Sequence, residues 1–269
     1  MSERTPYDEF GMFHENAEEF GIPYEGPPPV RREAVEVGPG RRVSSLVWGD
    51  TDPELVLLHG GAQNAHTWDT VALALRRPLL AVDLPGHGHS DPPAQPGRVS
   101  PADLAADVAA VVRRLAPRAA AVVGMSLGGL TTIALAQLVP DLVRRLLLVD
   151  ITPGVSADKA KPIADFVQGP SSFESFDELL ERTAAHNPTR SVASLRRGIL
   201  HNALQRDDGS WVWRYRRFDA AGAGSGATSQ ESFPDFVGLW DALGASSAPL
   251  LLVRGLLPQS VVDAADVTE

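Results

Sequence analysis

The chain has 269 residues, a formal net charge of -10, 43% hydrophobic residues and 22% charged residues. That balance suits a globular protein long enough for one large domain, and it excludes a phosphate-binding surface, because nucleic-acid binders concentrate positive charge on one face. There is no cysteine, which excludes disulfides, a cysteine nucleophile and thiolate metal sites.

Met1 to Glu25 is acidic and interrupted by Gly11, Gly21 and Pro23. It lacks the basic start and apolar centre of a signal peptide, so the cytoplasm is the expected compartment. Residues 1–33 read as a mobile or loosely packed extension, closed by the stiff spacer Pro27-Pro28-Pro29. Glu33 to Val37 and Arg41 to Trp48, joined by Gly38-Pro39-Gly40, are predicted as an antiparallel hairpin at a sheet edge. Strands and helices then alternate. Leu55 to Leu58 is a buried strand, and the stretch from Leu79 opens with another, followed by a Gly-rich loop to Ser90. Pro101 to Ala116 is the clearest helix: Ser100 suits the N-cap, Pro101 the first helical position, and Leu104, Val108, Val111 and Leu115 share one face.

Ala119 to Pro140 carries no charge and is long enough to span a bilayer. It lies within strand-helix alternation and holds Gly128-Gly129, two threonines and Gln137, so it reads as a buried strand followed by a buried helix, with no membrane partner. Leu146 to Val149 is the next buried strand, ending in Asp150. Beyond Pro153, Asp158 to Pro170 is irregular, Phe173 to Ala185 and Ser191 to Leu204 have a helical period, and Asp207-Asp208-Gly209 is a turn before the strand-like Trp211 to Tyr215. Ala220 to Ser229 is rich in Gly, Ala and Ser and reads as flexible; Pro249 to Val253 returns to a buried strand. The segment between these strands is too short and interrupted to bury much core of its own, which favours an insertion over a second domain. Its aromatic residues Phe166, Phe173, Trp211, Trp213 and Tyr215 could line an apolar acyl pocket or form a small core.

The chemistry concentrates in Gly124-Met125-Ser126-Leu127-Gly128, between the strand from Ala119 and the helix-like stretch to Pro140. This is the G-x-S-x-G pattern of a nucleophile elbow, in which a serine takes strained angles at a tight turn and glycines two residues either side let strand and helix approach. Upstream, the Leu55 strand ends in His59-Gly60-Gly61, an H-G-G sequence, and the Leu79 strand runs into Asp83-Leu84-Pro85-Gly86-His87-Gly88-His89-Ser90. With these three in order, the chain resembles the α/β-hydrolase superfamily, and within it the cap-bearing serine esterase-like branch, from about Ala34 onward.

The resemblance implies an α/β fold, a mostly parallel central sheet flanked by helices: an N-terminal extension over 1–33, core over 34–153, a cap over 154–240 and further core over 241–269. It also implies a Ser-His-Asp acyl-enzyme mechanism on a small carboxylic ester or thioester, without cofactor or metal. Ser126 is the nucleophile; backbone N–H groups of Gly61 and Leu127 form the oxyanion hole. The acid in this fold follows the nucleophile at a strand end, which favours Asp150 over Asp263 and Asp266, read as lying in a helix start. His59 is expected to bond its own loop, and His87 and His89 to shape theirs beside Asp83; all three precede Ser126, opposite to the fold's Ser, acid, His order. His186 and His201 fall in the expected cap, and no Gly-x-Gly-His ending follows the Leu250 strand, where Gly255-Leu256-Leu257-Pro258-Gln259 departs from the family pattern. The resemblance therefore implies a C-terminal truncation, with the base, a final strand and a helix missing and activity impaired. Two alternatives remain: the same triad acting on a carbon-carbon bond of a dienoate-like ring-cleavage product, or a non-catalytic binding homologue. Aspartate-nucleophile members of the fold are disfavoured by the serine at 126. Oligomeric state stays open.

Overall fold

The computed structural model describes residues 4–95, 100–155, 157–215, 236, 238–257 and 260–268. In chain order these form α1 (Phe13–Phe20), β1 (Val30–Gly38), β2 (Arg41–Trp48), β3 (Leu55–Leu58), α2 (Asp69–Leu75), β4 (Leu79–Val82), α3 (Pro101–Leu115), β5 (Ala121–Met125), α4 (Leu127–Leu138) and β6 (Leu146–Val149). There follow α5 (Ala157–Val167), β7 (Ser172–Phe173), α6 (Phe176–His186), α7 (Val192–Asn202), β8 (Ala203–Gln205), β9 (Trp211–Trp213), α8 (Gly238–Gly244) and β10 (Leu250–Val253).

The main sheet has the order β1-β2-β4-β3-β5-β6-β10, antiparallel at β1-β2-β4 and parallel from β4 to β10. Strands buried on both faces need no polar alternation, which is why β3, β4 and β6 are wholly apolar. Their side chains still alternate between two layers. Val56, Leu58, Leu80 and Val82 pack with Leu104 and Val108 of α3 and Leu135 of α4. Leu57, Leu79 and Ala81 face the other way, onto Phe13 of α1 and Ala72 and Leu73 of α2. The helix at Pro101 begins where expected: the Asp103 N–H donates to Ser100 Oγ at 3.2 Å and the Ser100 N–H to Asp103 Oδ2 at 2.9 Å, a capping box. Among the described residues no helix is long and apolar enough to cross a membrane, because the uncharged stretch divides into β5 and α4.

Four expectations need correction. Residues 4–33, the described part of the expected extension over 1–33, are not loosely packed: α1 buries Phe13 and Ala17 in the core, Gly21 closes it in the left-handed conformation, and β1 already starts at Val30. The region from Asp158 is helical rather than irregular, since α5 tolerates Pro162 in its interior at the loss of one backbone bond and adds a Lys161–Asp165 pair one turn apart. Asp263 and Asp266 lie in an irregular segment and the turn after it instead of a helix start, and Asp266 accepts from Thr152 Oγ1 at 3.0 Å and from the Asp263 N–H at 3.0 Å. The boundary drawn at residues 240/241 cuts through α8, whose Leu239, Ala242 and Leu243 pack on α4. The expected flexible stretch at Ala220 to Ser229 lies outside the described residues.

The segment from α5 to β9 forms a lobe with its own three-stranded sheet, β7-β9-β8, and a core of Phe173, Leu179, Ile199, Leu200 and Trp211 completed by Met12 from the N-terminal segment. β10 is the edge of the main sheet, with Leu250, Leu251 and Val253 each about half exposed.

Two glycine substitutions separate packing from propensity. A Cβ at Gly128 would lie 2.3 Å from the Leu58 carbonyl oxygen and 2.6 Å from that of His59, so Gly128→Ala is expected to destabilise by about 2–4 kcal/mol or more in urea unfolding. Gly198, exposed in α7 with nothing within 4 Å of a Cβ, should give the opposite sign, about 0.5–1 kcal/mol of stabilisation on Gly198→Ala. Equal and small effects at both positions would contradict the packing described.

Candidate active site

Ser126 sits between β5 and α4 with φ 51° and ψ -121°, a conformation that L-residues rarely adopt. Its flanking glycines are sterically required. A Cβ at Gly124 would lie 2.3 Å from the Gly128 carbonyl oxygen and 2.4 Å from Thr132 Oγ1, and one at Gly128 would strike the end of β3. The spacing rule of the motif therefore has a direct cause. Gly129, which the sequence reading did not single out, is equally constrained, 2.3 Å from Ile151 Cγ2 at its Cβ position.

The loop after β3 faces this serine: a Cβ on Gly60 would lie 3.3 Å from Ser126 Cβ. Its neighbours fix it. The Gly60 N–H donates to Gln63 Oε1 at 3.0 Å and the Ala62 N–H to His87 Nε2 at 3.1 Å, with Ala62 at φ 58°. The intervening Gly61 N–H has no protein acceptor among the described residues, and Leu127 is the first residue of α4, whose N–H has no intrahelical acceptor. His59 is fully buried: its Nδ1 lies 2.7 Å from the Gly60 carbonyl and its Nε2 accepts from the Leu84 N–H at 2.9 Å.

Parallel pairing of Met125 with Val149 sets Ser126 and Asp150 side by side at the ends of β5 and β6, where the Ser126 N–H reaches the Val149 carbonyl at 3.4 Å. Asp150 also has positive φ, 49°. Its Oδ1 accepts from the Gly255 N–H at 2.8 Å and from Ser260 Oγ at 2.5 Å, whereas Oδ2 accepts no bond from a described residue. The loop after β10 thus holds this carboxylate instead of offering one of its own.

None of the seven histidines hydrogen-bonds Ser126 or Asp150 among the described residues. His87 and His89 shape their loop as expected: His87 Nδ1 lies 3.2 Å from the Pro85 carbonyl, and the His89 N–H donates to Asp83 Oδ2 at 3.0 Å. Asp83, fully buried, also accepts from the Ala65 N–H and from Arg32, whose guanidinium outweighs burial and keeps the carboxyl below its ordinary value. His186 stacks on Phe166 with centroids 4.2 Å apart.

His201 belongs to a cluster the sequence reading missed. Its ring stacks on His66 at 3.7 Å and 10°, and the Tyr7 hydroxyl lies 2.9 Å from its Nδ1. His66 Nδ1 is 2.9 Å from Asp69 Oδ2, and its Nε2 is 3.1 Å from Glu9 Oε1. Burial lowers His66, but the Asp69 and Glu9 carboxylates prevail and hold it up at about 9. Burial and the neighbouring His66 charge push His201 well down, so the stack pairs an imidazolium with a neutral ring. The spacing His66-x-x-Asp69 was the available signal, since residues three apart meet on one helical turn.

An open cleft of about 830 Å³ is bounded by Gly61 and Gln63, by His66 and His201, and by Phe166 and Trp213 of the inserted lobe; it adjoins the serine through the Gly61 loop, and neither Ser126 nor Asp150 lines it. The aromatic residues thus divide: Phe173 and Trp211 form lobe core, while Phe166 and Trp213 reach the cleft.

A mostly parallel sheet carrying a serine on a strained strand-helix turn defines an α/β-hydrolase architecture. Residues 53–239 match the alpha/beta hydrolase fold family, and the chain belongs to that family. It is 48% identical over 259 residues to esterase Rv0045c of Mycobacterium tuberculosis, spanning 94% of this chain and 80% of that protein. A solved structure of that esterase, described together with its transition metal inhibition, superposes with a TM-score of 0.79 at 44% identity, covering 98% of this chain and 86% of the other. Protein phosphatase methylesterase 1 of Mus musculus is 30% identical over 167 residues, 58% of this chain and 43% of that protein.

His87 supplies a pH prediction. Burial lowers its imidazole from 6.5 to about 3, so between those values the unfolded chain binds a proton that the folded chain refuses, and stability must fall as pH drops. His87→Gln, which keeps an acceptor for the Ala62 N–H, should flatten the loss of melting temperature between pH 6.5 and 4. An unchanged slope would show that His87 is not buried neutral.

Proposed function

We propose that the chain is a serine esterase acting on a small carboxylic ester or thioester through an acyl-enzyme. Ser126 Oγ adds to the carbonyl carbon as its proton passes to an imidazole, and the N–H groups of Gly61 and Leu127 receive the developing oxyanion. The imidazolium returns that proton to the departing alcohol or thiol, and water repeats the sequence on the acyl-enzyme. Asp150 orients the imidazole through its open Oδ2. The single observation that carries this reading is the strained backbone of Ser126, since such strain persists only where the surroundings enforce it, and here two glycines and two strand ends do so. The esterase relative favours an ester over a carbon-carbon bond.

The lobe from α5 to β9 serves in this proposal as a cap over the cleft, with Phe166 and Trp213 offered to the acyl group. Among the described residues none of the seven histidines is arranged as the base.

A fluorophosphonate probe should label the protein at Ser126, and Ser126→Ala should abolish the label; labelling that survives removes Ser126 from the mechanism. Asp150→Asn retains an acceptor for Gly255 and should lower kcat by about 10³- to 10⁴-fold with little change in melting temperature. A full-sized loss at Asp263→Asn instead would relocate the acid.

A further inference from the structure

The cluster beneath the cleft has a second use that needs neither Ser126 nor ester hydrolysis. Asp69 Oδ2 lies 2.9 Å from His66 Nδ1 and 3.9 Å from His201 Nε2, and one ligating atom from each of His66, Asp69 and His201 falls within 4.8 Å of the others. The far nitrogen of each ring is tied elsewhere, His66 Nε2 to Glu9 and His201 Nδ1 to Tyr7. Metal-bound histidines are characteristically held this way, with the outer nitrogen fixed by a hydrogen-bond partner and the inner one turned to the ion, which here would displace the proton that His66 Nδ1 shares with Asp69. A further observation is independent of those distances: Asp69 Oδ1 is buried without a hydrogen-bond partner among the described residues, a lone pair that a cation would satisfy.

We propose that His66, Asp69 and His201 form a binding site for a first-row transition-metal ion of the Zn²⁺ kind, reached from the cleft. Two imidazoles and one carboxylate suit Zn²⁺, Ni²⁺ or Cu²⁺, whereas Mg²⁺ and Ca²⁺ prefer oxygen ligands throughout. Tetrahedral bonds of about 2.0–2.2 Å set ligand atoms about 3.3 Å apart, so the groups must converge by roughly an ångström. The rings stack nearly parallel, so ligation in both ring planes also tilts them apart. Because the cleft reaches His66, Asp69 and His201, a water can take the fourth position. The ion would bridge the turn before α2 to α7, joining core and inserted lobe.

Titrating Zn²⁺ into the metal-free chain by calorimetry should give one saturable site per chain, with no heat from Mg²⁺, and Co²⁺ should develop the intense visible bands of a tetrahedral nitrogen-oxygen site. His201→Gln and Asp69→Asn should each weaken Zn²⁺ binding at least tenfold, and Tyr7→Phe, which keeps all three ligands, about 10- to 100-fold. Circular dichroism establishes that each variant folds; should a ligand variant fail, Tyr7→Phe and the Co²⁺ spectrum still decide. No saturable Zn²⁺ binding, a Co²⁺ spectrum without tetrahedral bands, or affinity unchanged in the folded variants would overturn the site.

Discussion

The closeness with which α4 lies on the end of β5 is the constraint from which the candidate site follows. Gly124 meets the Gly128 carbonyl, and Gly128 meets the carbonyls of Leu58 and His59, so the chain has room for one residue between strand and helix and that residue takes φ 51°. Holding a non-glycine residue there costs about 1–3 kcal/mol. Burial of Leu130, Ile133 and Leu135 on α4, at about 1.5–3 kcal/mol each, exceeds that cost. The helix is accordingly buried without a break from Gly128 to Ala136, with Thr131 and Thr132 bonded back to the carbonyls of Leu127 and Gly128.

The same contact organises neighbouring elements. Since Gly128 rests on the end of β3, the loop that follows β3 is obliged to pass directly over Ser126, and the parallel register of β5 with β6 brings Asp150 to the same level. The second organising centre is electrostatic. Arg32 on β1 joins Glu9, Ser44 and Asp83, and Asp83 in turn holds the backbone at Ala65 and His89, so the loops after β3 and β4 are aligned by one buried acid. A buried pair of this kind adds little net stability, but losing one partner leaves the other charge uncompensated.

What was legible in the sequence is what local chemistry dictates. The apolar runs of β3, β4 and β6, the Ser100 cap with Pro101, the turn at Asp208-Gly209 and the glycine spacing around Ser126 each carry their own physical reason within a few residues. The misreadings arose where distant partners decide. Phe13 and Ala17 form a helix because the sheet receives them, and the glycines and proline nearby say nothing of that. Asp158 to Pro170 was read as irregular, although it forms most of α5 and the one backbone bond lost at Pro162 does not break that helix. Asp266 resembled a helix acid but is held by Thr152, 114 positions away. The His66 and His201 stack joins residues far apart along the chain, so no short window of the sequence contains it.

The docking of Tyr7 and Glu9 into that stack bears on how the protein can be handled. Trimming the first dozen residues is the natural step for anyone seeking a compact crystallisable core, and fusing a bulky carrier there is equally routine. Either operation at residue 10 would strip the Glu9 carboxylate from the His66 imidazolium and the Arg32 guanidinium, removing the acid they share and leaving Asp69 and Asp83 as their carboxylate partners. The front of the chain is thus a working part of the interior, and recombinant boundaries belong ahead of Arg4, whose own bond to Asp207 already reaches the inserted lobe.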